Sequence, residues 1–143
     1  GVLLDGTEVV VKKLSPKSVQ GNHEFFSEIA FISNVQHQNL VVLKGRCVKK
    51  RERLLVYEFL ENRSLFQALL DKRTGIPLYW ATRMKIITGA ARGLTYLHGL
   101  TYLHIKVSNI LLDKNMNPKI VDFGLAKSFY EDQTHVTTRI AGI

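Results

Sequence analysis

What most restricts the folding of this chain is the order in which its hydrophobic period changes. "TEVVVKKL", Thr7 to Leu14, is a β-branched run after the turn signal "DG" and predicts a strand closed by Ser15 and Pro16. Phe25, Ile29 and Ile32 then recur at helical spacing, which predicts a helix from about His23 to Val35, with Asn22 as N-cap and Glu28 beside the apolar stripe. "LVVLKGRCV" and "RLLVYEFL" read as an antiparallel hairpin whose basic run, "KKRER" at Lys49 to Arg53, is a solvated turn. "SLFQALLD" predicts a short helix with Leu65 and Leu69 on one side. "TRMKIITGAARGLTYLH" predicts a longer one whose Ile86, Ala90, Leu94 and Leu97 share a face. "NILLD" and "PKIVDFG", separated by "KNMN", suit a small hairpin, and "LAKSFYEDQTHVTTRIAGI" reads as a loop rich in hydroxyl residues.

These segments fit one compact unit. The chain has 143 residues, 45% hydrophobic and 22% charged, the balance of a soluble globular domain. No run of 18 apolar residues occurs and "GVLLDGTEVV" lacks the regions of a signal peptide, so neither a membrane span nor a secretion signal is expected within it. The single cysteine, Cys47, has no partner for an internal disulfide and no neighbours at metal-ligand spacing, which fits a reducing compartment. The net charge of +8 favours polyanions in general, but no aromatic residues are interleaved with the basic ones, so nucleic acid is not expected as a partner.

A strand lysine in "VVVK", a glutamate in the next helix, "KVSN" before a hairpin and "DFG" after it form an ordered set that resembles the protein kinases. "GVLLDGTEVVVKKL", "LLVYEFLENRSL", "NILLDKNMNPKIVDFGLAK" and "THVTTRIAG" look more particularly like the cytoplasmic kinase domains of plant receptor-like serine/threonine kinases. The resemblance implies an α+β, two-lobed fold, with a β-rich small lobe and hinge over about 1–60 and the start of a helical large lobe over about 61–143. It also implies ATP and Mg²⁺ as cofactors. Lys12 would hold the nucleotide phosphates and Glu28 would hold Lys12 by an ion pair. Backbone groups of Glu58 and Leu60 would hydrogen-bond adenine, with Leu111 packing under the ring. Asn109 and Asp122 would hold the metal, since a hard cation takes oxygen ligands. Lys106 would steady the transferred phosphoryl group. Thr134, Thr137 and Thr138 become candidate phosphorylation sites.

The same resemblance exposes a departure. "GLTYLHGLTYLH", Gly93 to His104, is one hexapeptide written twice, directly before "IKVSN". Counting back five positions from Asn109, to the slot of the catalytic-loop aspartate, arrives at His104, with Tyr102 and Leu103 in the slots of the motif His and Arg. In the alternative register His104 is the motif histidine and Arg and Asp are deleted. Neither register holds an aspartate to orient the substrate hydroxyl. Six residues at about 100° each set the two copies about 120° apart, so the second copy is not expected to prolong the helix on the same face. The resemblance also places a Gly-rich loop ahead of Gly1 and further large-lobe helices past Ile143, so the fold is expected to be incomplete and to expose apolar surface.

Three functions follow as expectations. One is a protein serine/threonine kinase of receptor signalling, impaired in transfer. The others are a pseudokinase interaction module and a non-functional kinase gene fragment. Expected partners are ATP and a protein substrate or partner kinase, on the cytoplasmic side of a plasma membrane reached through parts of a receptor outside this chain.

Overall fold

The structure, a computed structural model, describes residues 1–14, 19–49, 52–70, 78–98, 101–102, 105–123 and 127–128. Its first half is a three-stranded antiparallel sheet, β1 (Val9–Leu14), β2 (Leu43–Lys49) and β3 (Glu52–Glu58), in the order β1-β3-β2. Ahead of β1, Leu3 N–H donates to Thr7 O and Gly6 N–H to Leu3 O. Gly6 has φ +84°, so the "DG" turn needs the residue without a Cβ. β3 is central because both neighbours pair with it: Lys12 faces Leu55 and Cys47 faces Leu54. Alternation along β3 turns Leu55 and Tyr57 inward, where both are buried.

Helix α1 (Val19–Ile32) lays Phe25, Ile29 and Ile32 against that sheet. It starts before Asn22 and stops before Val35, so the expected span of His23 to Val35 is corrected at both ends, and Asn22 lies inside the helix rather than capping it. The end is fixed locally: Ser33 N–H bonds Ile29 O, and Asn34 turns its Nδ2 back to Ala30 O at 2.8 Å. The expected first hairpin strand also shortens. Leu40 to Val42 precede β2, and Leu40 makes a parallel bridge to Ile120 instead.

After β3 come α2 (Leu65–Leu70), α3 (Trp80–His98), a 3₁₀ turn (Val107–Asn109) and the hairpin β5 (Ile110–Leu112) with β6 (Pro118–Ile120). β4 (Thr101–Tyr102) pairs with β7 (Lys127–Ser128). α3 ends at His98, so Thr101 and Tyr102 of the second hexapeptide copy are extended rather than helical. The β5–β6 turn is organised by Asp113, whose Oδ1 accepts the Asn115 and Asn117 N–H groups at 2.9 and 2.8 Å. β6 is the joint between the two halves: Val41 N–H donates to Ile120 O and Ile120 N–H to Asn39 O, at 3.0 and 2.8 Å. One core runs through the joint, from Leu55 and Phe25 to Leu97, Ile120 and Phe123.

The buried face of α3 differs from the expected one. Ile86, Ala90 and Leu97 are buried with Gly89 and Gly93, whereas Leu94 is 39% exposed. The reason is close approach. A Cβ on Gly89 would meet Pro118 Cγ at 2.5 Å, and one on Gly93 would meet Ile120 Cδ1 at 2.8 Å. The helix therefore turns its two glycines, not a leucine, toward β6. Trp80, Met84 and Ile87 are exposed.

Gly89→Ala should therefore lower stability by about 1–3 kcal/mol through overpacking against Pro118, despite alanine's roughly 1 kcal/mol advantage in a helix. Urea unfolding of the two chains checks this, with a raised midpoint for the variant counting against the close approach.

Candidate functional site

Lys12 sits at the middle of β1, and its ammonium reaches two carboxylates that are far apart in sequence. Lys12 Nζ donates to Glu28 Oε2 at 3.0 Å and to Asp122 Oδ1 at 2.7 Å. Glu28 is 1% exposed, because it shares the α1 face that carries Phe25 and Ile29. Its other oxygen, Oε1, accepts a hydrogen bond from the Tyr57 hydroxyl. A carboxylate removed from water is tolerated only when paired and hydrogen-bonded, and here both oxygens have partners.

Asp122 is presented differently. Its backbone has φ +70°, a conformation that aspartate tolerates better than most residues. The kink sends Phe123 into the core, fully buried and 5.4 Å from the Phe31 ring of α1, and leaves the Asp122 side chain 51% exposed beside Lys12.

The ionisation equilibria follow from these contacts. Burial favours the neutral Lys12 amine, but the hydrogen bond to Asp122 and the charge and hydrogen bond of Glu28 outweigh it, so its pKa is raised above 10.5. Burial is also the first cause that pushes the Tyr57 phenol far up, with Glu28 as acceptor and neighbouring charge adding to it. Tyr57 is thereby kept a donor.

Asn109 closes the 3₁₀ turn, and its carbonyl accepts the Val121 N–H at 2.9 Å, one residue before Asp122. Its Oδ1 lies 3.4 Å from Ser108 Oγ. Lys106 precedes the turn with an exposed side chain, and its carbonyl accepts the Asn109 N–H at 2.8 Å. Leu60 is buried in the core, and Leu111 is half-buried against it and bridged to Ser64. Glu58 uses its side chain structurally: Oε1 accepts from Val42 N–H at 3.0 Å and from Lys119 Nζ at 3.2 Å. Lys12, Glu28 and Asp122 are thus brought into contact. Among the described residues no hydrogen bond joins Lys106, Glu58, Leu60 or Leu111 to that cluster. His104, Thr134, Thr137 and Thr138 lie outside the described residues.

Two participants escaped the sequence reading. Tyr57 stood out only as part of a connecting segment, although its period-2 partnership with Leu55 puts a hydroxyl inside, where it needs an acceptor. The Glu58–Lys119 pair had no sequence signal, since the two residues lie on separate strands that only tertiary packing brings together.

The model of the protein tyrosine and serine/threonine kinase family matches residues 4–142. The chain belongs to that family. This kinase chain is 54% identical over 148 residues to a probable leucine-rich repeat receptor-like serine/threonine-protein kinase of Arabidopsis thaliana, covering 99% of the chain and 14% of the relative. It is 52% identical over 151 residues to a G-type lectin S-receptor-like serine/threonine-protein kinase of the same plant, covering 99% and 18%. A third relative, cysteine-rich receptor-like protein kinase 5 of Arabidopsis thaliana, is 49% identical over 144 residues, covering 97% of the chain and 22% of the relative. The kinase chain therefore spans under a quarter of the length of these relatives. The first match extends over 148 positions against the chain's 143, so that relative carries residues within the span that this chain lacks. The fold accords with the family: part of a β-rich small lobe, then the start of a helical lobe. Among the described residues no helix is long and apolar enough to cross a membrane.

Tyr57→Phe should destabilise the kinase chain by about 1–3 kcal/mol, because it leaves buried Glu28 Oε1 without its donor. Chemical unfolding reads this directly. The Lys12 pairs make a second prediction with a definite sign. A raised folded pKa means that their stabilisation is complete below about pH 10.5 and is lost as pH rises through the folded value. Between about pH 9 and pH 12 the unfolding free energy should fall more steeply for the native chain than for Lys12→Met.

Proposed function

We propose that this chain is the nucleotide-holding part of a receptor-type protein serine/threonine kinase, with a small lobe and hinge over about 1–60 and the start of the large lobe over about 61–143. We propose further that it binds ATP with Mg²⁺ but transfers phosphate poorly or not at all. The observation that carries the binding reading is Lys12 Nζ held between Glu28 and Asp122. Glu28, steadied by Tyr57, fixes a positive charge on β1 that suits nucleotide phosphates. Backbone groups of Glu58 and Leu60 would hydrogen-bond an adenine ring, with Leu111 packing under it.

The donor chemistry fits a hard cation. Asp122 offers a half-exposed carboxylate and Asn109 an amide oxygen, while no group of three or more His, Cys, Asp or Glu residues forms a cage among the described residues. Mg²⁺ is commonly bound that way, by one or two protein oxygens together with substrate phosphates. When bound there it would supply neutralisation of phosphate charge, and Asn109 and Asp122 would hold it. Lys106, exposed beside the Asn109 turn, would add a positive charge at the phosphoryl group.

Poor transfer is supported by composition along the chain. No Asp or Glu occurs between Asp71 and Asp113, so the segment leading to Asn109 offers no carboxylate to orient a substrate hydroxyl. In the register counted back from Asn109, His104 would be the residue in that slot. A neutral imidazole accepts a proton, but it lacks the negative charge that holds the hydroxyl in line. The chain would then serve as a pseudokinase module, binding nucleotide and a partner kinase or substrate protein at the cytoplasmic side of the membrane.

Calorimetric titration with Mg-ATP, run alongside a radiolabel transfer assay on serine/threonine peptides, tests both parts. Saturable binding that weakens by about tenfold or more in Lys12→Met is expected, with transfer reduced by a factor on the order of 10²–10⁴ relative to an intact family member. No binding would overturn the nucleotide reading and favour a gene fragment, whereas transfer at a family-like rate, lost in Lys12→Met, would overturn the impairment.

A further inference from the structure

Lys12 is not free to leave Asp122, which limits what else can approach that carboxylate. Its ammonium has three donors, of which Glu28 Oε2 takes one at 3.0 Å and Asp122 Oδ1 a second at 2.7 Å. A solvent-exposed ion pair parts at little cost, since its long side chains swing into water. Here that freedom is missing. Glu28 is 1% exposed and both its oxygens are engaged, Oε2 by Lys12 and Oε1 by the Tyr57 hydroxyl, so withdrawing the ammonium would strand a buried charge.

Asp122 is fixed from the other side. Val121 N–H donates to Asn109 O at 2.9 Å and Ile120 N–H to Asn39 O at 2.8 Å, so the residues leading to Asp122 are bonded to two separate segments. Its carboxylate is half-exposed, and among the described residues its bonds are all made through Oδ1.

A divalent cation taking the remaining oxygen of Asp122, with the Asn109 amide oxygen, would therefore lie close to an ammonium that cannot withdraw. Two cations on one carboxylate repel, and the repulsion is offset only by further negative charge. Glu28 cannot supply it, because both its oxygens are buried and already used. A phosphate chain can. It brings an oxygen for the third Lys12 donor and others for the metal.

Resting on the reading that Asn109 and Asp122 hold Mg²⁺, we propose that Lys12, anchored by Glu28, is a tethered cation that keeps free divalent metal off Asp122, so that metal enters with a polyphosphate and not before it. By linkage, the factor by which phosphate raises metal affinity is also the factor by which metal raises phosphate affinity.

The test uses Mn²⁺, which suits the same oxygen ligands as Mg²⁺, counted by electron paramagnetic resonance in nucleotide-free solutions of the whole 143-residue chain. Lys12→Met alone leaves Glu28 unpaired. The decisive variant is therefore Lys12→Met with Glu28→Gln, which removes the ammonium without changing the net charge or stranding a carboxylate. It should bind Mn²⁺ about tenfold or more tightly than the native chain, whereas Lys12→Arg, which keeps the charge, should match the native chain. Adding Asp122→Asn to the double variant, a residue that also tolerates positive φ, should abolish the gain. The native chain is tested without any substitution by NMR, where submillimolar Mn²⁺ should leave the Asn109 side-chain amide resonances sharp. Any of four results overturns the proposal: broadened Asn109 resonances in that native sample, equal Mn²⁺ affinity in the native chain and the double variant, Lys12→Arg binding like the double variant, or a gain that survives Asp122→Asn. The nucleotide reading fails by a different result, absent Mg-ATP binding to the native chain, so the two failures are told apart.

Discussion

A buried carboxylate organises this molecule. Glu28 sits almost wholly out of water, and a charge in that position must be matched by partners fixed in space. Lys12 supplies the opposite charge from β1 and Tyr57 the second hydrogen bond from β3, so α1 docks where both strands converge. Because β1 and β3 are in register with Lys12 opposite Leu55, the sheet pairing and the helix docking reinforce each other. Lys12 then extends the connection to Asp122, 110 residues away in sequence. Losing Lys12 would leave the Glu28 charge unpaired in a low-dielectric interior, so the buried part of the group behaves as a unit rather than as separate pairs.

The second constraint is steric. β6 lies so close to α3 that only glycine fits at positions 89 and 93, and β6 leads directly to Asp122. The backbone ladder from Asn39 and Val41 to Ile120 sets the same strand against the small sheet. The position of Asp122 beside Lys12 therefore follows from how tightly a hairpin is held between a helix and a loop, not from any property of the aspartate. In the proposed reading, nucleotide binding would depend on these fixed charges and oxygens. In the same reading, transfer would call for a carboxylate, and no Asp or Glu lies between Asp71 and Asp113.

Much of the fold was legible because its strands and hairpins carry their own signals. The β-branched run of β1, the polar "KNMN" between two apolar segments and the "DG" turn each predict local structure without reference to distant residues. Helix limits were less legible. α1 begins at Val19, ahead of an asparagine that looks like a cap, and α3 buries Gly89 and Gly93 where a leucine pattern pointed to Leu94. Helical periodicity reports that a stripe exists, but which side is buried depends on the partner's shape, and here the partner is a proline and an isoleucine at contact distance. In the site, Lys12, Glu28 and Asp122 came from an ordered set of motifs. The Tyr57 hydroxyl and the Glu58–Lys119 pair came only from packing.

The sequence by itself determined the inventory: the family motifs, their order and the lack of any acidic residue between Asp71 and Asp113. Those are properties of covalent order and no packing alters them. Tertiary structure alone decided that one ammonium would serve two carboxylates, that Tyr57 would turn its hydroxyl inward to Glu28, and that Asn39 would be buried with its side-chain amide donating to the Pro118 carbonyl. Each of these depends on atoms from segments far apart in sequence arriving within hydrogen-bond reach. That is settled by how helix, sheet and hairpin fill space together, and local periodicity contains no record of it.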